Sequence, residues 1–210
     1  MAQTYARLAA AHGTTIDAAR ARAVMETLER ELPQRVNARA ISLESNDGAD
    51  FWNDFYGEGF RRMGIAQPAS SAVTEIRECF QRGEFEAAHA DAIPALEMLT
   101  ARGVPLGIVS NFSPNCEDIL RAQGLHKYFS FFIVSAIAGV EKPAARIFDL
   151  AVRAANAPRE QLVYIGDSIF HDIQGARGAG IAPILIDRAD QYRDFIGARV
   201  RDLRALEKFI

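Results

Sequence analysis

Cysteine is scarce in this chain, with two in 210 residues, and Cys79 and Cys116 lie far apart with no ligand spacing. That excludes a disulfide framework or a zinc cluster and leaves small buried thiols of a reducing compartment. No apolar run approaches the ~20 residues a membrane helix needs, so no membrane partner is expected. An excess of one charge is also missing. The 24 basic and 27 acidic side chains are interspersed, for a net charge of -3, which argues against a nucleic-acid surface. The opening "MAQTYARLAAAHG" lacks the basic start, apolar middle and cleavage site of a secretory signal. It also lacks the dense Arg and Ser of a transit peptide. No internal repeat or low-complexity tract occurs, and a cytoplasmic protein is the expectation. What remains is 49% hydrophobic and 24% charged, a composition that buries a sizeable core.

Two halves differ in texture. Residues 1–90 read as helical, without a convincing strand. "AQTYARLAAAHG" is Ala-rich and ends at Gly13. "TTIDAARARAVMETLERELPQ" keeps Ile16, Ala19, Ala23 and Leu28 at helical spacing until Pro33, which should break it. "GADFWNDFYGEGFRRMGI" carries Phe51, Phe55 and other aromatics at helical spacing, a stripe that fits a core, with Gly57 and Gly59 as a conceivable bend. "SSAVTEIRECFQRG" is a fourth helix, capped by Ser70 or Ser71 and stopped by Gly83.

Residues 91–210 alternate helix and strand. "VPLGIVSN", "FSFFIVS", "LVYIG" and "APILIDR" are strands, separated by "SPNCEDILRAQG", "PAARIFDLAVRAAN" and "DIQGARGAG". Ser113 is the expected N-cap of the first of these helices, with Pro114 at its first position. "RVRDLRALEKFI" reads as a closing amphipathic helix. This alternation predicts an α/β fold, a Rossmann-like parallel sheet with helices on both faces.

Ligands of such sheets sit beyond the carboxyl ends of the strands. After "LGIV" come Ser110 and Asn111, short groups able to donate to an anionic oxygen. "GVEKP" puts Lys142 at a loop-to-helix junction, with Pro143 in the first turn. After "LVYI" come Gly166, Asp167 and Ser168, then Asp172 at a helix start. Singly, Ser-Asn is often a turn and Lys-Pro a helix start. Together, a hydroxyl, an amide, an ammonium and two carboxylates on one edge suit phosphoryl chemistry assisted by Mg²⁺. "GARGAG" has glycines spaced G-x-x-G-x-G and is no dinucleotide loop.

On these residues the chain resembles the haloacid dehalogenase (HAD) superfamily of hydrolases. "GIVSN" is similar to its second motif, "GVEKPAARIF" to its third and "YIGDSIFHDIQGARGAG" to its fourth. The helical first half resembles the cap of its phosphatase-like members, and His12-Gly13 the place where that cap begins. The resemblance implies an aspartate nucleophile and Mg²⁺ held partly by the fourth motif. Asp167 would ligate the metal, with Asp172 acting on it directly or through a bound water. Ser110 and Asn111 would bind the transferring phosphoryl group, and Lys142 would bridge nucleophile and phosphate. Ser168 would play a supporting part. The expected substrate is a small phosphorylated metabolite.

The family's first motif, an apolar strand followed by an aspartate, has no counterpart here. "SNDGADFWND" offers Asp47, Asp50 and Asp54 with no strand before them, and Asp187 in "ILIDRAD" follows the last strand instead. The first central strand of the sheet is therefore expected to be missing. A natural chain would then carry about 10–25 further residues ahead of Met1, one strand and a loop. Without the nucleophile the chain is expected to be inactive or nearly so. Competing expectations are a non-catalytic HAD-like binding or regulatory protein, and a metal-independent 2-haloacid dehalogenase, which would need a different fourth motif.

Overall fold

The computed structural model describes residues 2–11, 13–36, 41–43, 48–85 and 87–209; His12 and Asp47 lie outside them. The chain divides into two compact units, Met1–Glu86 and Ala87–Ile210. Among the described residues no helix is long and apolar enough to cross a membrane.

The first unit is helical because its apolar residues recur as stripes. Helices α1 (Ala2–Ala11), α2 (Ala18–Val36), α3 (Ala49–Arg62) and α4 (Ser70–Gln81) turn Tyr5, Leu8, Met25, Leu28, Phe55, Tyr56, Phe60 and Ile76 into one core. Pro33 does not break α2, which runs on to Val36. Leu28 is in the core and Leu32 packs against it, and that burial outweighs the single backbone bond a proline forfeits. Ala69, extended, is the N-cap of α4, and Ser70 and Ser71 fall inside its first turn.

Helix α3 passes through Gly57 and Gly59 without interruption. Gly59 is small because Tyr5 packs on it, with its hydroxyl donating to the Tyr56 carbonyl at 3.1 Å. A Cβ at Gly59 would lie 2.7 Å from that hydroxyl oxygen. Gly59→Ala is therefore expected to destabilise this unit by about 1 kcal/mol or more, overpacking outweighing the gain in helix propensity. Urea unfolding followed by fluorescence of Trp52, the sole tryptophan, checks this; an unchanged midpoint would contradict it.

The second unit runs α5 (Ala92–Ala101), β1 (Gly107–Ser110), α6 (Cys116–Ala122), β2 (Phe131–Val134), α7 (Ser135–Ala138), α8 (Ala145–Ala155) and β3 (Val163–Gly166). A π-helical turn, Ile169–Gln174, then leads into α9 (Gly175–Gly178), β4 (Ala182–Ile186), β5 (Ala198–Val200) and a 3-10 helix, Leu203–Phe209. Each pair of neighbouring strands is parallel. The strands form two sheets, β1–β2 and β3–β4–β5, where the sequence suggested one. Apolar clusters cover both faces. Val109, Ile133 and Tyr164 meet Ile147, Phe148 and Ala176 of α8 and α9. Leu106, Ile165 and Ile184 meet Leu99 of α5 and Leu206. Tyr164 and Ile165 are neighbours, so they project to opposite faces.

Three element boundaries differ from the sequence expectation. Helix α6 begins at Cys116 after Asn115; Ser113 stays in the turn before it and donates its hydroxyl to Asn115 Oδ1 at 2.8 Å. Pro143 precedes α8 instead of opening it. The tail is not one helix, because Ala198–Val200 pairs with β4 and buries Val200. Arg199 is tied there to Asp187 at 2.7 Å. Asp91, just before α5, joins the two ends of this unit. Its Oδ2 accepts from Arg188 Nη1 and from the Leu203 backbone N–H, each at 2.7 Å.

Candidate active site

The ends of β1 and β3 converge on Lys142. Asn111, directly after β1, spends both ends of its amide on the Lys142 backbone. Its Oδ1 accepts from the Lys142 N–H at 2.8 Å and its Nδ2 donates to the Lys142 carbonyl at 3.0 Å. This two-point grip fixes the loop that carries Lys142 and aims its side chain. The ammonium donates to Asp172 Oδ1 at 2.7 Å and to the Tyr164 hydroxyl at 3.1 Å. With the Lys142 and Asp172 side chains only 12% and 5% exposed, the pair is nearly dry.

Asp172 is positioned from β3. Ser168 caps the π-helical turn, its hydroxyl accepting from the His171 backbone N–H at 3.1 Å. The turn folds Asp172 back over Gly166, and Asp172 Oδ2 accepts from the Ser168 N–H at 2.9 Å. A Cβ at Gly166 would overlap the Asp172 carboxyl, so glycine is what lets the carboxylate approach the strand end. Asp172 thus lies inside a π-helical turn and not at the helix start expected from the sequence. His171 Nδ1 lies 3.1 Å from the Ser168 hydroxyl, and burial lowers the pKa of its ring.

Tyr164 is a member of the cluster that the sequence reading passed over. Its hydroxyl is 3.1 Å from Asp172 Oδ1 and 3.2 Å from the Val109 carbonyl oxygen of β1. Its single proton serves one of these acceptors at a time. Burial first, and the Asp172 charge second, raise its pKa, so it remains a protonated donor. Its ring stands edge-on to Phe148 at 5.1 Å. The available signal was its place two residues before Gly166, on the face opposite Ile165.

Asp167, unlike Asp172, is exposed. Crowding by protein atoms raises its pKa first and the Asp172 charge second, while Lys142 and Arg188 pull the other way. Two carboxylates that repel at one edge fit a hard divalent cation, which takes one or two carboxylates and keeps several waters. Asp167 offers the freer oxygens, because Asp172 Oδ1 is committed to Lys142 and Tyr164. Among the described residues no group of three or more His, Cys, Asp or Glu forms a metal cage. Ser110 ends β1, half-buried, and its hydroxyl bonds to none of these groups.

The other aspartates singled out in the sequence sit elsewhere. Asp50 and Asp54 are exposed on α3 of the first unit. Asp187 follows β4 but is buried, accepting from the N–H groups of Gln191 and Tyr192 and from Arg199. Burial alone would raise its pKa; these three donors outweigh that and hold it low. Its carboxylate shapes the loop after β4.

A family model described as haloacid dehalogenase-like hydrolase matches residues 4–180. The haloacid dehalogenase-like hydrolase domain-containing protein 3 of Danio rerio is 32% identical over 146 residues, 69% of this chain and 60% of that protein. The glyceraldehyde 3-phosphate phosphatase of Methanopyrus kandleri is 33% identical over 138 residues, 64% of this chain and 58% of that protein. The chain thus spans about three fifths of the length of these curated relatives. A structure of the HAD-hydrolase YfnB of Bacillus subtilis bound to magnesium covers 99% of this chain and 90% of its own, with a TM-score of 0.74 at 19% identity. That likeness shows a shared α/β fold. The matched stretch runs from α1 to the end of α9 and takes in every strand end that meets at Lys142, so this chain belongs to the haloacid dehalogenase-like hydrolases.

Proposed function

We propose that this chain carries the metal- and phosphate-binding part of a Mg²⁺-dependent phosphohydrolase acting on a small phosphorylated metabolite. The observation that carries the reading is the buried Lys142–Asp172 pair, held beyond β1 and β3 beside Asp167 and Ser110. An ammonium, two carboxylates and a hydroxyl at such an edge suit a phosphate ester. The phosphatase among the relatives supports the same class. Asp167 is the residue assigned to hold Mg²⁺, with Asp172 reaching it directly or through a bound water. The ion supplies charge neutralisation at the phosphate oxygens. Ser110 and the backbone at Asn111 bind the phosphoryl group, while the Asn111 side chain acts by holding Lys142 in place. Selection of the metabolite is assigned to residues 1–90 as a helical cap, and the chemistry to residues 91–210.

In such a reaction a carboxylate attacks phosphorus, the ester P–O bond breaks and the alcohol leaves with a proton. Water then cleaves the acyl phosphate, releasing inorganic phosphate and restoring the carboxylate. In this reading that carboxylate belongs on a strand between β1 and β3 and is not among the 210 residues. The division of the strands into two sheets supports it.

Calorimetric titration tests the metal assignment. Asp167→Asn is expected to weaken Mg²⁺ binding at least ~10-fold, and Lys142→Ala to weaken binding of inorganic phosphate in the presence of Mg²⁺. Unchanged Mg²⁺ affinity in Asp167→Asn would overturn the assignment.

A further inference from the structure

Arg188, in the turn after β4, leaves most of its hydrogen-bonding capacity unspent. Its Nη1 donates to Asp91 Oδ2 at 2.7 Å, while its Nε and Nη2 meet no acceptor among the described residues. The Arg188 side chain is 31% exposed and that of Asp91 only 5%, so a buried carboxylate holds a side chain that still reaches solvent. A guanidinium paired with a carboxylate for stability alone favours the two-point fork, which satisfies both oxygens. Here the Leu203 N–H shares Oδ2 at 2.7 Å, and the buried Oδ1 has no partner among the described residues. Arg188 is thus turned out of the fork, with Nε and Nη2 left for another acceptor. Asp202, another carboxylate within its field, is spent on Arg204 at 2.6 Å.

This free edge lies beside the candidate active site. β3 and β4 are parallel neighbours with Gly166 level with Leu185, so the residues after β4 leave the sheet beside those after β3. Lys142 and Arg188 both act on the Asp167 carboxylate, opposing the burial and the Asp172 charge that raise its pKa. The two cations are held from different sides. Asp91 draws Arg188 toward α5, whose Leu99 packs with Ile165. Tyr164 holds Lys142 on the side of Ile147 and Phe148. Lys142, Ser110 and the Asp167 edge are already assigned to the transferring phosphoryl group. Adjacent strands lie about 5 Å apart, which puts Arg188 on the order of 5–10 Å from that group, the span of a small phosphate ester.

We propose that Arg188 determines substrate specificity: its free edge receives a second anionic group, a carboxylate or a second phosphate, carried by the alcohol part of the phosphate ester. Asp91 is the positioning residue that aims it. A planar guanidinium offers either group two parallel N–H bonds. Asp91 fixes the side chain before the ligand arrives, so less freedom is lost on binding. Arg188 acts this way only under the phosphohydrolase reading, because a phosphate must occupy the Lys142 side for the second group to reach it.

The test is calorimetric titration of the full chain, with Mg²⁺ present, against three probes. Glycerol 3-phosphate carries one anionic group; 3-phosphoglycerate has a carboxylate in place of its terminal hydroxymethyl group; propane-1,3-diol bisphosphate has a second phosphate. At least one doubly anionic probe is expected to bind ~10-fold or more tightly than glycerol 3-phosphate, and which one does so separates carboxylate from phosphate. Arg188→Gln should reduce that preference to within about twofold, and Arg188→Lys, which keeps the charge without the fork, should retain part of it. In the unaltered chain the Arg188 Nε–H resonance should move with the preferred probe and not with glycerol 3-phosphate, a readout independent of how the variants fold. No preference in the unaltered chain, or a preference that survives Arg188→Gln, overturns the proposal. Equal weakening of all three probes overturns it too, since that marks a purely structural role. Those outcomes leave the phosphohydrolase reading standing so long as glycerol 3-phosphate binds and depends on Lys142. Failure of every probe to bind sinks both.

Discussion

Folded and saturated with Mg²⁺, the 210-residue chain alone is expected to hydrolyse p-nitrophenyl phosphate at least ~10³-fold more slowly than the same chain with a carboxylate positioned between β1 and β3. The reason is where its carboxylates are. Asp172 is tied to Lys142, Tyr164 and the Ser168 N–H. Asp187 is bound by three donors behind β4. Asp50 and Asp54 belong to α3 in the other unit. Asp167 is exposed and, in the reading proposed above, is occupied by the cation. Release of p-nitrophenolate is the measurement. Turnover at ordinary phosphatase rates would mean that a carboxylate among these residues attacks phosphorus, and Asp167→Asn would then identify it.

Asp172→Ala is expected to lower the stability of the second unit by about 3–5 kcal/mol, the usual cost of breaking a buried ion pair from one side. Lys142 would be left without its carboxylate partner in a site where its side chain is 12% exposed, with the Tyr164 hydroxyl 3.1 Å away. The Ser168 N–H would lose its acceptor as well, loosening the cap of the π-helical turn. The thermal midpoint should fall by roughly 10 °C, read by circular dichroism. Replacing both partners with apolar residues, Lys142→Met with Asp172→Leu, should recover most of the loss, because it removes the unpaired charge. A single-variant cost below about 1 kcal/mol would mean that water, and not protein, solvates the pair.

The residues of the site were legible because they follow apolar runs. "LGIV", "FFIV" and "LVYI" announce β1, β2 and β3, and the polar residues after each run had to lie at one edge of an α/β sheet. How those residues are held was not legible. Asn111 reaches Lys142 across 31 positions, and Tyr164 reaches Val109 across 55; neither link leaves a local pattern. The π-helical turn depends on the Ser168 cap and the Gly166 approach, which look like an ordinary helix start in the sequence. Strand β5 escaped because three residues are too few for an alternation to show. The division into two sheets, where one was expected, left no local pattern in the sequence.

Asp91 connects residues separated by 97 and 112 positions, from the start of the second unit to its last helix. A tie of that span cannot form until Arg188 and Leu203 have both been made, long after Asp91. The elements from α5 to α9 lie between the tied residues, so closing this unit draws its first helix and its last together. Contacts of such long sequence separation make that closure slow.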